Sequence, residues 1–150
     1  MFSERVHYNN LMENIVANTI TNTRIIAGTK RVIQYISIAS DGTEETDLVV
    51  YDSSSVASAI GKVDSLMCTI LSITYSTSSV LGINKLEWDG TTDVLAWGLP
   101  LAAGTGIFDF TKFGGLKNTA GAGITGDVLL TTTGLVAGDV VSLIIELMPY

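Results

Sequence analysis

The sequence predicts an all-β protein, a sandwich or barrel of about eight short strands, and three observations support this prediction. Only 15% of the 150 residues are charged, whereas Ser and Thr together occupy 31 positions and Gly 15. β-branched and aromatic residues gather in short runs that Gly, Asp and Asn separate. The chain has one cysteine, so a packed core must stabilise it without an internal disulfide.

Residues 1–28 differ from the remainder and are predicted to form an N-terminal arm, with the β body over residues 29–150. Asparagines recur at every fourth position from Asn10 to Asn22, a spacing that permits a short amphipathic helix over residues 9–20. Asn and Thr are weak helix formers, and the run TITNT favours extended chain after residue 19. The apolar side chains of the arm need a surface to cover, either the body or a neighbouring subunit.

From Lys30 onward the pattern indicates strands in KRVIQYISIA and TDLVVYD, with Asp41-Gly42 as a hairpin turn between them. The stretch SSSVASAIGKVD is predicted to be a loop, and LMCTILSITYS a strand that is buried on both faces over Leu66–Ile70. A second hairpin is predicted in GINKLEWDGTTDVLAWGLP, with Asp89-Gly90 at its tip.

The last strands are predicted in IFDF, GDVLLTTT and AGDVVSLIIEL. In the final strand, alternate positions from Val141 to Leu147 are aliphatic and share one face, which predicts burial of that face. The opposite face, from Val140 to Met148, mixes polar and apolar side chains and is predicted to be only partly exposed to water.

The run GAGITG, Gly121 to Gly126, has the glycine spacing of a dinucleotide-binding loop. Such a loop works because it follows a strand and opens a helix whose amides receive the pyrophosphate. Here a loop precedes the glycines and the strand-like run DVLLTTT follows them. The glycines are therefore interpreted as a connection between strands, and no cofactor is predicted.

Other catalytic and metal sites are also disfavoured. His7 is the only histidine and Cys68 the only cysteine, so neither a Ser-His-Asp site nor a tetrahedral zinc site is predicted. Cys68 lies in the apolar run LMCTIL and is interpreted as a buried small hydrophobe. The acidic runs DGTEETD and WDGTTD are interpreted as solvated turns, with a calcium site or a glycosidase-type carboxylate pair as the alternatives. The protein is predicted not to be an enzyme.

The net charge of −7 is unevenly distributed, since residues 1–31 carry +2 and residues 32–150 carry −9. An acidic body repels phosphate backbones, so nucleic acid is not a predicted partner. The most apolar segment, VVSLIIELM, contains Glu146 and is too short to span a bilayer, so no membrane association is predicted. The first residues, MFSERVHYNN, lack the apolar core of a secretion signal, which predicts synthesis in a cytoplasm.

Two segments are similar to jelly-roll decoration, or cement, proteins of bacteriophage heads: FGGLKN, Phe113 to Asn118, and the ending GDVLLTTTGLVAGDVVSLIIEL, which resembles their C-terminal hairpin. In overall pattern the resemblance extends over the whole chain. It implies a jelly-roll-like antiparallel β-sandwich that forms a homo-oligomer, most often a trimer. It also implies a place on the capsid surface of a virion, where the protein would contact the major capsid protein and stabilise the head by bridging capsid subunits.

The predicted interface residues lie in the arm and combine apolar anchors with two arginines. They are Arg5, Leu11, Met12, Ile15, Ile20 and Arg24. An arm that becomes ordered on binding can cover a large surface of a neighbouring subunit, which is the role assigned to these side chains.

The alternative function is a glycan- or receptor-binding β-sandwich, such as a spike or fibre head. That function requires an exposed aromatic platform, and it predicts that Trp88 or Trp97 is exposed. The competing interpretation places Trp88, Trp97, Tyr35, Tyr51 and Tyr75 in core or subunit-interface packing. In that interpretation the two tryptophans, which flank the second hairpin, pack against each other across the strands.

Overall fold

Strands dominate the computed structural model, which describes residues 17–61, 67–80, 82–100 and 103–150. Within these residues there are ten strands and one α-helix. In chain order, they are β1 (Thr19–Ala27), β2 (Val32–Ala39), β3 (Leu48–Tyr51), α1 (Ser53–Ala59), β4 (Cys68–Thr77), β5 (Ile83–Trp88), β6 (Val94–Gly98), β7 (Gly104–Asp109), β8 (Leu116–Lys117), β9 (Val128–Thr133) and β10 (Val140–Pro149).

The strands form two antiparallel sheets. The larger sheet has the order β1-β2-β10-β4-β7, with the short β8 also paired to β4, and the smaller sheet has the order β3-β9-β5-β6. Buried side chains from both sheets belong to one hydrophobic cluster, so the sheets pack face to face as a sandwich. The predicted all-β sandwich is confirmed, and β1 and β8 raise the number of strands from about eight to ten.

Apart from β1 and β8, the strands are connected as a jelly roll. They pair from the two ends of the chain inwards: β2 with β10, β3 with β9, β4 with β7, and β5 with β6. The chain is therefore one long hairpin, and successive pairs of strands alternate between the two sheets. This alternation wraps the hairpin around the core, which is the jelly-roll arrangement.

Two of the predicted hairpins are wrong. Asp41-Gly42 does mark a reversal of the chain, but β2 and β3 belong to different sheets and do not pair. The same holds for the last two strands, because β9 lies in the smaller sheet and β10 in the larger one. The hairpin around Asp89-Gly90 is confirmed, since β5 and β6 pair antiparallel. Turn residues specify where the chain reverses, whereas the pairing partner depends on strands that are distant in sequence.

The alternation in β10 is confirmed. Its inward residues, Val141 to Leu147 at every second position, are at most 2% exposed, while Val140 and Ile144 on the outer face are 40% and 41% exposed. Inward and outward side chains alternate because successive residues of a strand point to opposite faces. The inner face of β10 thus forms the middle of the core.

The start of β4 is buried on both faces, as predicted. Cys68, Thr69 and Ile70 are each at most 1% exposed. On the outer side, Gly115 approaches Thr69 so closely that a Cβ at residue 115 would collide with the threonine methyl group. Gly115 also has a φ of +84°, which favours glycine. Leu66, the first residue of the predicted doubly buried stretch, lies outside the described residues.

The stretch predicted as a loop after β3 contains α1 instead. Asp52 caps the helix, because its side chain accepts a hydrogen bond from the backbone N–H of Ser55 at 2.9 Å. Val56 and Ala57 are buried against the sandwich, and this tertiary burial stabilises a helix of only seven residues. In the part of the chain that the structure describes, no helix is long and apolar enough to cross a membrane.

Residues 19–27 of the predicted arm form β1, whose pairing with β2 runs from Thr19 opposite Ala39 to Ala27 opposite Val32. Extended chain in TITNT is therefore confirmed, and the predicted helix over residues 9–20 is wrong at all of its described positions, residues 17–20. Residues 9–16 lie outside the described residues. The larger sheet thus begins at Thr19, within the segment assigned to the arm.

The loops gather at the two ends of the sandwich. At one end the β2–β3 loop meets the β9–β10 loop, where the N–H of Ser40 donates to the carbonyl O of Asp139 at 2.8 Å. At the other end the β5–β6 loop meets the segment before β9, where the N–H of Thr91 donates to the carbonyl O of Ala122 at 2.9 Å. The described chain begins at the first end, because the Asn18 side chain contacts the β2–β3 loop.

Candidate interaction surface

Polar side chains on the inward face of β1 hold this strand to the smaller sheet and to α1. The Asn22 amide donates to the carbonyl O of Val49 at 3.0 Å. The Arg24 guanidinium donates to the Ser55 hydroxyl in α1 at 2.8 Å. Asn18, the residue before β1, lies on the same face as Asn22 and Arg24, because side chains at every second position of extended chain share a face. Its side chain makes a third contact of this kind, to the β2–β3 loop. These contacts fix the position of β1 at the side of the sandwich.

The outer edge of β1 is an open sheet edge. In the described part of the chain, β2 is its strand neighbour on one side, and no backbone hydrogen bond is formed on the other. Eight of its nine residues are exposed, among them Ile25 at 56% and Ile26 at 43%. A row of unpaired N–H and C=O groups on an exposed strand can accept a further strand.

The other sheet edges are shorter and less regular. β3 has four residues and β6 has five, and the register shifts where each of them pairs with its neighbour. β7 has six residues, of which Gly104 and Gly106 weaken a strand. β1 contains no Gly, Pro or Lys, and its bulge is confined to the stretch between Arg24 and Ile26. Among the edges that the structure describes, β1 is therefore the best suited to pair with another chain.

The outer face of the larger sheet continues from β1 as a surface with few charges. Four side chains carry charge there: Arg31 and Glu146, which form an ion pair of 2.8 Å, Asp109 on β7 and Lys117 on β8. One row across the sheet has a hydroxyl side chain on every strand: Thr21, Ser37, Ser142, Ser76 and Thr105. The next row is mostly apolar: Thr23, Tyr35, Ile144, Thr74 and Ile107. A broad face with few charges suits contact with another protein surface, and an open depression lies on it between Tyr35, Thr105 and Ile144.

Positive charge is concentrated around β1 in an otherwise acidic protein. Residues 17–31 contain Arg24, Lys30 and Arg31 and no acidic residue, whereas residues 32–150 carry a net charge of −9. The β1 side of the larger sheet is therefore locally positive, whereas the body as a whole is negatively charged.

Two of the predicted interface residues, Ile20 and Arg24, lie on β1. Ile20 is opposite Ile38 in the pairing with β2 and is 37% exposed. Arg24 donates to Ser55 of its own chain, because the inward face of β1 points towards α1, and its contact with another subunit stays a prediction. The other four lie outside the described residues: Arg5, Leu11, Met12 and Ile15. Sequence reasoning missed the strand itself, although Thr at positions 19, 21 and 23 gives a period of two.

The glycines of GAGITG lie in a loop before β9, and no helix begins there. Gly121, Gly123 and Gly126 have φ values of +74°, +71° and +91°, which favour glycine at turns. Gly123 packs directly against the backbone N of Thr91, at 2.7 Å from the position that a Cβ would occupy. The interpretation of these glycines as a connection between strands is confirmed.

The two acidic turns lie at opposite ends of the sandwich, so Asp41 and Asp89 do not form a carboxylate pair. Hydrogen bonds from the Thr43 hydroxyl and N–H hold the pKa of Asp41 below its ordinary value. Asp89 accepts a hydrogen bond from the Thr125 hydroxyl at 2.5 Å. Asp41 thus orders its own loop, whereas Asp89 links the β5–β6 loop to the segment before β9. Among the described residues, no three His, Cys, Asp or Glu side chains come together in a way that could hold a metal ion.

The tryptophans are packed within the sandwich. Trp88 is 1% exposed. Trp97 packs edge-on against Phe108 and Phe110, with ring centroids 5.3 and 4.8 Å apart. The predicted contact between the two tryptophans is wrong, because Trp88 is opposite Val94 in the hairpin register. Trp88 is therefore not available as a stacking platform for a sugar, which removes one of the two side chains on which the glycan-binding alternative depends.

Cys68 is fully buried in the core and unpaired. Burial raises the pKa of its thiol, since the charged thiolate is disfavoured away from water. The interpretation of Cys68 as a small buried hydrophobe is confirmed.

The fold and this surface define a class of protein: an all-β jelly-roll sandwich with a long open edge strand. Comparison with known proteins does not narrow this class further, because no family model, no curated protein and no solved structure matches the chain.

Proposed function

We propose that this chain is a non-enzymatic virion structural protein, a capsid decoration or cement protein that stabilises a phage head by bridging capsid subunits. The observation that carries the proposal is the exposed nine-residue edge of β1 beside the outer face of the larger sheet, which has few charges. This surface is broad and the depression on it is open to solvent, a shape that suits a protein partner better than a small molecule that needs an enclosed pocket.

The proposed mechanism is the burial of area over many symmetric copies. A contact of several hundred Å² per copy is weak alone, but it gains effective affinity when several copies of one assembly bind the shell together. Specificity comes from main-chain hydrogen bonds at the strand edge and from shape, so few charged contacts are needed. The low charge of the outer face, where Arg31 and Glu146 neutralise each other, is compatible with close neighbours.

The partners in this proposal are further copies of the chain, in a trimer or a multiple of it as the resemblance implies, and the major capsid protein. Residues 1–16 precede Asn18 and so join the sandwich at the end formed by the β2–β3 and β9–β10 loops. At the same end, Val80 is 72% exposed and Val136 is 57% exposed. We assign the contact with the capsid shell to this end and to residues 1–16.

The solution mass of the purified chain tests the proposal, measured by sedimentation velocity over a range of concentrations. The expected result is a closed oligomer with three-fold symmetry. A second sample lacks residues 1–16, and the deletion stops there because removal of residues 19–27 would delete a strand of the larger sheet. We expect this truncation to lower the order of the oligomer. A monomer at every concentration, for both forms of the protein, would overturn the proposed assembly role.

A further inference from the structure

We propose that β1 pairs antiparallel with β1 of a second copy of this chain, across a two-fold axis, so that the larger sheets of the two copies become continuous. The inference rests on the proposed assembly function and deepens it, because it names the occupant of the open edge.

β1 lacks the features that usually protect the edge of a sheet. Natural sheets protect their edges with short strands, lysines, prolines or bulges. β1 has nine residues without Lys or Pro, and the bulge between Arg24 and Ile26 leaves the stretch from Thr19 to Arg24 regular. Its backbone is also held in place, because Asn22 and Arg24 bond to the smaller sheet and to α1. An ordered strand loses little conformational entropy when it pairs.

The distribution of charge on β1 favours a second copy of the chain as the strand that pairs with its open edge. Arg24 is the single charged residue of β1, and its side chain is directed towards Ser55 of its own chain. If the two-fold axis passes through Asn22, Arg24 is opposite Ile20 of the second copy, and Thr21 is opposite Thr23. No like charges then face each other, and the threonines form the β-branched pairs that stabilise antiparallel strands. The acidic side chains nearest to β1 interact with their own chain: Glu45 accepts a hydrogen bond from Asn18, and Asp52 interacts with Arg24.

Pairing of the two copies also forms backbone hydrogen bonds along the open edge of β1. With the axis at Asn22, the regular stretch from Ile20 to Arg24 pairs with the same stretch of the second copy and forms roughly four to six inter-chain hydrogen bonds. These bonds satisfy N–H and C=O groups of β1 that have no strand partner among the described residues. Because the pairing keeps each face of the sheet on its own side, the outer faces of the two copies form one surface. The contact is two-fold, so the assembly contains an even number of chains, and together with a three-fold ring it gives a hexamer.

A pair of charge variants tests this contact. In the double variant Thr21→Lys and Thr23→Lys, each new lysine lies opposite a lysine of the second copy when the axis is at Asn22. The matched control is Thr105→Lys with Ile107→Lys, which adds the same charge to the same face on β7 at the opposite edge of the sheet. We expect the β1 variant to weaken self-association by at least about tenfold in sedimentation equilibrium. The control should associate like the unaltered chain, because β7 lies at the edge opposite the proposed contact. The two variants are matched, since Thr21 and Thr105 lie in one row of the outer face and Thr23 and Ile107 in the next.

A mixing experiment distinguishes loss of the contact from misfolding of the variants. The variant Thr21→Glu with Thr23→Glu should also dissociate alone, but an equal mixture with the lysine variant should restore association through Lys–Glu pairs across the contact. In the unaltered chain, hydrogen exchange should show slow exchange at consecutive amides from Thr19 to Arg24. An edge strand without a partner protects only every second amide, those that bond to β2.

Three results would overturn the inference. They are an unchanged mass of the lysine variant, alternate protection in β1 under conditions where the chain self-associates, and an isolated trimer with an odd number of chains. Each of them leaves the proposed assembly function standing. Dissociation on removal of residues 1–16, with the lysine variant still associated, would identify the arm as the contact in place of β1.

Discussion

Replacement of Asp127 by alanine tests how α1 is held to the segment that precedes β9. Asp127 Oδ1 accepts a hydrogen bond from the backbone N–H of Ser53, the first residue of α1, at 2.8 Å. The Ser53 hydroxyl lies 2.7 Å from the same carboxylate oxygen. Ser53 is only 2% exposed, so water cannot replace the lost acceptor.

The expected loss follows from these contacts. In the alanine variant the Ser53 hydroxyl can still donate to the carbonyl O of Thr125, which is 2.9 Å away, but the Ser53 N–H loses its acceptor. An unpaired buried donor costs about 1–3 kcal/mol, and a hydrogen bond to a charged group contributes about 1.5–3 kcal/mol. We expect the free energy of unfolding to fall by about 3 kcal/mol, and Tm to fall by roughly 6–12 °C for a chain of this size.

Guanidinium titration followed by tryptophan fluorescence measures this loss, because Trp88 is buried in the folded chain. The control is Asp127→Asn, which keeps an oxygen at the acceptor position but removes its charge, and it should cost about 1 kcal/mol. If alanine and asparagine destabilised the chain equally, or if alanine cost less than about 0.5 kcal/mol, the role assigned to this carboxylate would be refuted.

Two further predictions concern α1 and the core. Asp52→Ala removes the cap of α1 and should lower the free energy of unfolding by about 1 kcal/mol at pH 7. Hydrogen bonds from the Ser54 hydroxyl and the Ser55 N–H hold the pKa of Asp52 below its ordinary value of 3.8. Because the folded pKa is lowered, this stabilisation is present above about pH 4 and is lost as the pH falls through the folded pKa, so urea titrations of the two proteins should converge in acid. Burial raises the pKa of Cys68, so a thiol reagent at pH 8 should modify the folded chain at least about 100-fold more slowly than the chain in denaturant, and equal rates would contradict its place in the core.

Local pattern was sufficient to predict several elements. The alternation from Val141 to Leu147 identified the buried face of β10, because a strand has a side-chain period of two whatever its neighbours are. The Asp89-Gly90 turn identified the β5–β6 hairpin, since its two strands are separated by a short turn. The buried Cys68 followed from the apolar residues around it.

Other elements depended on contacts between distant residues. The run SSSVASAIGKVD gave no helical signal, and α1 forms because Asp52 caps it and the sandwich buries Val56 and Ala57. The turn at Asp41-Gly42 predicted a hairpin, but β2 pairs with β10 and β3 with β9. Loop residues cannot specify these partners, because the pairing energy comes from side chains about 100 positions away along the chain.

By itself, the sequence determined the class of fold, the strands of the body and the side chains that face the core, because burial in a strand follows a short repeat of apolar residues. Only the tertiary structure decided that β1 belongs to the larger sheet and that, among the described residues, no strand pairs with its outer edge. Whether a strand lies at an edge is a property of the order of the whole sheet, and no local pattern in TITNTRIIA contains that order. The proposed function of this protein depends on that edge, and therefore on the jelly-roll arrangement that places β1 beside β2.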